Sequence, residues 1–250
     1  MSLQKLMMFI HSSCGTYDFA FTKDEEMNER DLIPVMLGCH YTFSPQLFSQ
    51  AAVDFPMRMC SWIVGVGSTA ADIYRTVETA DSHRTVLLSG VSRLVCMDFV
   101  RGVSVPFPYS EKRLCLSSYL PPTAYRFPSI AVPAAAPDRS YMATVKVRYE
   151  DMDVNWHSNH SSYTAFALEC AAQAAAAGYY SRIREDIVFY RARSLTCLHL
   201  GESFAGDELD VGTWEDIDDA LLLHFLVVRQ KRRIFYIKID FDENIISSKL

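Results

Sequence analysis

A run of alternating polar residues contains the side chains best suited to chemistry. Its members are Asp151, Asp153, Asn155, His157 and Asn159. Helix capping would explain one or two of these residues, such as Asn159 or the neighbouring Ser158. It does not explain the whole run, and the imidazole of His157 can exchange a proton near neutral pH. The run therefore predicts a site of general acid–base catalysis.

The polar run lies between a predicted strand and a predicted helix. Before it, Val145, Val147 and Tyr149 alternate with polar residues, which is the pattern of a half-buried strand. After it, apolar residues recur at helical spacing, namely Tyr163, Phe166, Ala167, Cys170, Ala171 and Ala174. The polar residues are therefore expected at a helix N-terminus, where unpaired N–H groups and the helix dipole favour a developing negative charge.

This part of the chain resembles the second hotdog domain of plant-type acyl-ACP thioesterases and, more loosely, other hotdog acyl-CoA thioesterases. The resemblance covers about residues 142–241 and rests on the polar run together with Tyr163, Leu168, Glu169, Glu202, Gly206 and Asp207. Two positions differ from the family's usual pattern. His160 stands where the family has Asn, and Ser158 stands where it has Val. These differences predict an altered pocket near the helix start.

The resemblance implies an α+β tandem (double) hotdog fold. Each half would be a curved antiparallel sheet of about five strands wrapped around a central helix. The expected domains are residues 1–118, with a degenerate site, and residues 140–250, with the catalytic residues. Residues 119–139 would form a Pro-rich linker, because five of the ten prolines fall between Pro121 and Pro137.

The first half is predicted to repeat the order of strand, polar turn and helix. Residues 17–22 alternate like a strand, and a charged turn follows them. The apolar stretch from Leu32 to about Phe48 is then expected to be a short, bent or divided helix, because Gly38 and Pro45 interrupt it. It contains no counterpart of His157.

Alternation and turn residues predict the remaining strands. In the first half these are Met59–Val66, Ala71–Thr79 and Arg84–Val105. In the second half they are Ile187–Ala192, Ser194–Glu202, Glu208–Trp214, Ala220–Val228 and Arg233–Asp240.

Composition narrows the class of protein. The 250 residues are 50% hydrophobic and 22% charged, as in an ordinary soluble globular protein. The net charge of −6 argues against a nucleic-acid partner. Seven cysteines without a Cys-x-x-Cys pair predict reduced core residues of a cytoplasmic protein. No membrane span is expected, since the first apolar run is too short.

The resemblance implies hydrolysis of an acyl thioester by an activated water, as in fatty-acid biosynthesis. It assigns catalytic roles to Asp153, Asn155, His157 and Glu202, and substrate-binding roles to Asn159, Tyr163, Phe166 and Glu169. Either Glu202 or His157 would be the general base, with Asn155 as an orienting amide. Glu169 is expected to be a buried helix carboxylate. Backbone N–H groups at the helix start would stabilise the oxyanion, by about 3 kcal/mol each.

Two other functions remain open on the same scaffold: a hotdog acyl-thioester hydratase or dehydratase, and a non-catalytic acyl-thioester binding protein. A metal held by His157, His160 and Asp153 is disfavoured because the turn splays these side chains and no fourth ligand is evident. No cofactor is expected. The expected partner is an acyl thioester of acyl carrier protein or coenzyme A, bound by a monomeric intramolecular pseudo-dimer or a loose homodimer.

Overall fold

A computed structural model describes residues 32–48, 57–98, 100–107, 125–153 and 156–245. The chain divides into two compact units. The first contains the described residues from 57 to 129 together with residues 32–47, and the second contains those from Ile130 onward. The domain boundaries at residues 118 and 140 stay predictions.

The second unit contains a five-stranded antiparallel sheet. Its strands are β6 (Tyr141–Lys146), β7 (Tyr190–His199), β8 (Glu208–Glu215), β9 (Leu222–Arg229) and β10 (Arg232–Ile245), in the order β7-β10-β9-β8-β6. The strands predicted after Gly206 are confirmed. The first strand ends at Lys146, before Tyr149, and the two strands expected at residues 187–192 and 194–202 form the single strand β7. The pairing of β7 with β10 shifts register at Arg193. An extra residue of this kind disrupts the alternation without ending the strand.

Helix α1 (His160–Ala176) packs against this sheet. All six residues of its predicted apolar face are buried. Ala167, Ala171 and Ala174 are completely buried, which is expected where small side chains let the helix approach the strands closely. Tyr163 stacks on Phe235 of β10 with ring centroids 4.6 Å apart.

The expectation that Glu169 is buried is wrong. Glu169 is exposed, as are Gln173 and Ala176 on the same side of α1. At about 100° per residue, position 169 lies about 120° around the helix from Tyr163 and about 100° from Cys170, outside the predicted apolar face. The Gln173 amide donates a hydrogen bond to the Glu169 carboxylate over 3.1 Å.

The first unit contains four long strands: β1 (Leu32–Phe43), β2 (Met57–Val66), β3 (Ala70–Thr79) and β4 (Val86–Asp98). They are antiparallel in the order β2-β3-β4-β1, and the short β5 (Val103–Ser104) pairs with the end of β4. The strands predicted at Met59–Val66 and Ala71–Thr79 are confirmed, whereas the single strand predicted over Arg84–Val105 is divided into β4 and the short β5.

The predicted helix between Leu32 and Phe48 is wrong. The stretch is strand β1, which pairs with β4 along its whole length, and only residues 45–48 form a turn of 3-10 helix. Cys39, Tyr41 and Phe43 are buried at alternate positions, so a period of two residues governs this stretch.

The same succession of strands occurs in both units. The order β2-β3-β4-β1 in the first corresponds to β8-β9-β10-β7 in the second. Strand β1 is therefore the counterpart of β7. The repeat expected from the sequence had made this stretch the counterpart of α1. The strand predicted at residues 17–22 lies outside the described residues.

The described part of the predicted linker, residues 125–139, contains no helix or strand. It nevertheless makes specific contacts within the second unit. The Arg233 side chain donates to the carbonyl of Pro133 over 2.9 Å. Gly212 on β8 lies so close to Ala136 that a Cβ at position 212 would stand 3.2 Å from the Ala136 methyl carbon. Pro133 and Ala136 therefore lie against the second sheet.

Four cysteines, Cys39, Cys96, Cys170 and Cys197, are buried as predicted, while Cys60 is partly exposed. Cys14 and Cys115 lie outside the described residues. Within the described ranges, no helix has the length and apolar character needed to cross a membrane.

Candidate active site

The polar run forms a tight loop before α1. Met152 and Ser158 pair as an antiparallel bridge, and the Asp153 N–H donates to the carbonyl of His157 over 2.8 Å. At the tip, Trp156 has a φ of 63°, a left-handed conformation that non-glycine residues seldom adopt. This reversal brings His157 back beside Asp153. Asn155, predicted to orient the reacting groups, lies outside the described residues.

The end of the loop caps the helix. The Asn159 side-chain oxygen accepts hydrogen bonds from the N–H and the hydroxyl of Ser161, each over 2.9 Å. The Asn159 N–H and the Ser162 hydroxyl both donate to the Asp151 carbonyl. Asn159 therefore serves as the N-cap of α1.

Two of the predicted catalytic residues face each other. His157 Nε2 lies 3.5 Å from the Glu202 carboxylate oxygen Oε2. The His157 side chain is 30% exposed and that of Glu202 is 59% exposed, so both groups reach solvent. The loop before α1 and the segment after β7 thus bring an imidazole and a carboxylate together at one accessible place.

A buried cluster of hydroxyl groups lies directly behind this pair. Ser203 Oγ is 2.8 Å from Ser158 Oγ and 2.8 Å from the Tyr163 hydroxyl. Ser203 is completely buried. Ser158 and Ser203 are the residues after His157 and Glu202, so the cluster ties the two site segments to α1. Ser158 stands out in the sequence only as a departure from the family pattern, and no sequence signal gives Ser203 a role.

Asp207 and Arg229 also hold the segment that carries Glu202 in place. The Asp207 carboxylate accepts a hydrogen bond from the Phe204 N–H over 2.7 Å, and it forms an ion pair with Arg229, whose Nε lies 2.8 Å away. The Arg229 guanidinium lies 5.1 Å from the Phe204 ring centroid, and the His157 ring packs edge to face on the same phenyl ring with centroids 5.4 Å apart. Gly206 completes the turn with a φ of 93°.

His199 also lies near the site, and the sequence analysis gave this residue no role. The ring of His199, the last residue of β7, lies 4.5 Å from Phe235 and 6.0 Å from His160. Its Nε2 is enclosed and has no hydrogen-bond partner in the part of the chain that the structure describes. Burial lowers the pKa of His199 to about 3. His199 is therefore neutral at physiological pH, and it appeared in the sequence only as part of a predicted strand.

Three further predicted site residues lie on α1, two of them buried and one exposed. Tyr163 and Phe166 are buried between α1 and the sheet, and burial raises the pKa of Tyr163. Glu169 is exposed on α1, outside its apolar face. Among the described residues, His157, His160 and Asp153 included, no group of three or more His, Cys, Asp or Glu is placed to hold a metal ion.

Solved structures of thioesterases share this fold over nearly the whole chain. An acyl-ACP thioesterase from Bacteroides thetaiotaomicron matches with a TM-score of 0.70 at 16% identity, covering 97% of this chain and 90% of that one. A 12:0-ACP thioesterase from Umbellularia californica matches with a TM-score of 0.66 at 17% identity, over 96% of this chain and 86% of that one. A protein described as an oleoyl thioesterase from Lactobacillus plantarum gives a TM-score of 0.70 at 14% identity, over 96% and 86% of the two chains.

No protein-family model and no curated protein sequence matches the chain. At identities of 14% to 17%, the structural likeness establishes the fold alone. The reaction has to be argued from the residues of the site. The chain has the α+β tandem hotdog fold of acyl-ACP thioesterases.

Proposed function

We propose that the protein hydrolyses acyl thioesters, releasing a fatty acid from acyl carrier protein or coenzyme A. The observation that carries this proposal is the pair of His157 and Glu202, with 3.5 Å between Nε2 and Oε2, both open to solvent beside the start of α1. An imidazole and a carboxylate in contact can move a proton to and from a reacting water.

The chemistry requires two proton transfers. The Glu202 carboxylate takes a proton from water as the water oxygen bonds to the thioester carbonyl carbon. His157, as the imidazolium, gives a proton to the departing sulfur when the carbon–sulfur bond breaks, and Glu202 then returns its proton to His157. The balance is one thioester and one water converted to one carboxylic acid and one thiol. The separation of 3.5 Å is expected to shorten when substrate excludes water.

Direct attack by water is favoured over a covalent intermediate. Ser203, the hydroxyl nearest Glu202 in sequence, is completely buried and already has two hydroxyl partners. A serine in that position is not accessible to a substrate carbonyl. Water at the exposed surface of His157 and Glu202 has no such obstacle.

The helix start contributes to oxyanion stabilisation mainly through its dipole. The Ser161 N–H is bound by the Asn159 side chain and the Ser162 N–H by the Asn159 carbonyl. These two amides are therefore engaged before substrate arrives. The positive end of the dipole still favours the negative charge of the tetrahedral intermediate.

The test is a panel of acyl-CoA and acyl-ACP thioesters of different chain lengths. We expect free thiol and free fatty acid to appear in equal amounts. Interconversion of 2-enoyl and 3-hydroxyacyl thioesters without thiol release would show a hydratase or dehydratase instead. Saturable binding of the acyl thioester without any turnover would show a binding protein, and either outcome would overturn the proposal.

A further inference from the structure

The hairpin between β9 and β10 carries an unusual concentration of positive charge. Arg229, Lys231, Arg232 and Arg233 fall within five residues of a chain whose net charge is −6. Gln230 and Lys231 form the turn, with φ values of 48° and 65°. In the sequence alone this run is typical of a turn and nothing more.

Two of these arginines stand directly opposite each other. Arg229 and Arg232 are register partners in the pairing of β9 with β10, so their side chains leave the same face of the sheet. Like charges at directly opposed positions destabilise a sheet. Asp207 neutralises Arg229 through a contact of 2.8 Å. Among the described residues no carboxylate lies within ion-pair distance of Lys231, Arg232 or Arg233.

The hairpin is continuous with the candidate active site. Arg229 Nη1 donates to the carbonyl of Glu202 over 3.4 Å, and the Phe204 ring contacts both Arg229 and His157. Arg232, which has no ion-pair partner among the described residues, is therefore the register partner of the arginine that contacts the Glu202 carbonyl. A ligand held at the hairpin can extend from there to the hydrolytic pair.

We propose that Arg232, supported by Arg229 and Lys231, binds the phosphate at the end of the substrate's pantetheine arm. This inference rests on the proposed function. Coenzyme A and acyl carrier protein both join the thioester to a phosphate through the same pantetheine arm, so one anion site serves either carrier. Guanidinium groups are well suited to phosphate because they donate paired hydrogen bonds.

A binding measurement tests this site without relying on hydrolysis. Free coenzyme A and pantetheine, which lacks the phosphate, are titrated into the full chain at low salt by calorimetry. We expect Arg232→Glu to weaken binding of coenzyme A about tenfold or more and to leave pantetheine binding unaffected. Arg126→Glu is the matched control, because Arg126 is an exposed arginine in the first unit, and it should bind coenzyme A like the parent.

Unchanged coenzyme A affinity in a folded Arg232→Glu protein would overturn the proposal. Arg232→Gln, which removes the charge without reversing it, replaces the glutamate variant if that variant does not fold. Loss of pantetheine binding together with coenzyme A binding would also overturn it, because the defect would then not depend on the phosphate. A parent protein that binds coenzyme A no better than pantetheine would contradict the proposal for the same reason.

Holo acyl carrier protein forms the second arm of the experiment. Weakened binding of both carriers by Arg232→Glu supports a shared phosphate site. Weakened binding of the carrier protein alone would contradict it and would identify the hairpin as a protein-docking surface. Where hydrolysis is observed, the ratio of kcat/KM for acyl-CoA to that for acyl-pantetheine should fall in Arg232→Glu and stay constant in Arg126→Glu.

Discussion

The hydroxyl oxygens of Ser158 and Ser203 lie 2.8 Å apart, and the Ser158 N–H also donates to the Ser203 carbonyl over 2.9 Å. These serines immediately follow His157 and Glu202. Their contact therefore sets the spacing between the two segments that bring the imidazole and the carboxylate together. Because Tyr163 binds the same Ser203 oxygen, the spacing is also tied to α1.

Ser203→Ala should both destabilise the protein and misplace the site. It leaves the buried hydroxyls of Ser158 and Tyr163 without their shared partner, which costs about 1–3 kcal/mol. The free energy of unfolding from urea titration measures the first effect, and thioester hydrolysis measures the second. Ser129→Ala, at an exposed position, should change the unfolding free energy by less than about 0.5 kcal/mol. Equal stability of the two variants would refute the structural role of this cluster.

His157→Ala should lower the rate of thioester hydrolysis and leave folding intact. The side chain is partly exposed, so its loss should change stability by less than about 1 kcal/mol. Proton-transferring residues contribute about 10²–10⁴ in rate, and hydrolysis should therefore fall at least 10²-fold. Glu202→Ala should behave in the same way. Steady-state rates and melting temperatures check both, and an unfolded His157→Ala protein or one as active as the parent would rule out the assigned role.

Gly90→Ala tests whether residues 32–43 form a strand that is paired with β4. A Cβ at position 90 of β4 would lie 2.7 Å from the Tyr41 Cα and would also meet the His40 carbonyl oxygen. Backbone atoms cannot move aside easily, so the loss should be about 3 kcal/mol or more. Gly65→Ala is the control, since its nearest neighbour, Asp72 Cβ, would be at 3.8 Å. Chemical denaturation of both variants distinguishes them, and similar midpoints would contradict the observed pairing of β1 with β4.

Stability should decline as the pH falls below about 6.5. Burial lowers the pKa of His199 from 6.5 to about 3, so in this window the unfolded chain binds a proton that the folded chain does not. The unfolded state is then favoured by up to about 1.4 kcal/mol for each pH unit. Urea titrations between pH 7 and pH 4 should give a shallower pH dependence for His199→Gln. His83→Gln, at an exposed position, should retain the slope of the parent.

The second unit was largely predictable because its residues obey simple periodicities. Strands β8, β9 and β10 alternate, α1 has an apolar face, and Gly206 marks the turn before β8. Strand β1 was not predicted, since the expected repeat of strand, turn and helix placed a helix over residues 32–48, although the buried residues of that stretch alternate. Helical spacing places Glu169 about 120° around α1 from Tyr163, outside the predicted apolar face, so its exposure could have been predicted from the sequence.

The contacts that shape the candidate site join residues far apart in the sequence. His157 and Glu202 were proposed together only through the family resemblance, and nothing in their local sequence requires them to meet. The link from Ser203 to Tyr163 and the pairing of Arg229 with Arg232 arise from strand register and from the packing of α1. Register depends on the whole sheet, which explains why these relationships appear only in the structure.

The contacts of Pro133 and Ala136 with the second sheet affect how a fragment of this protein should be made. A fragment starting at residue 140 would lack the backbone carbonyl that binds Arg233 and the methyl group that packs on Gly212. Its newly exposed surface would include part of β8, which invites aggregation. A fragment starting at Ile130 keeps both contacts, and it is the shorter segment that we would choose for crystallisation or labelling of the site-bearing half.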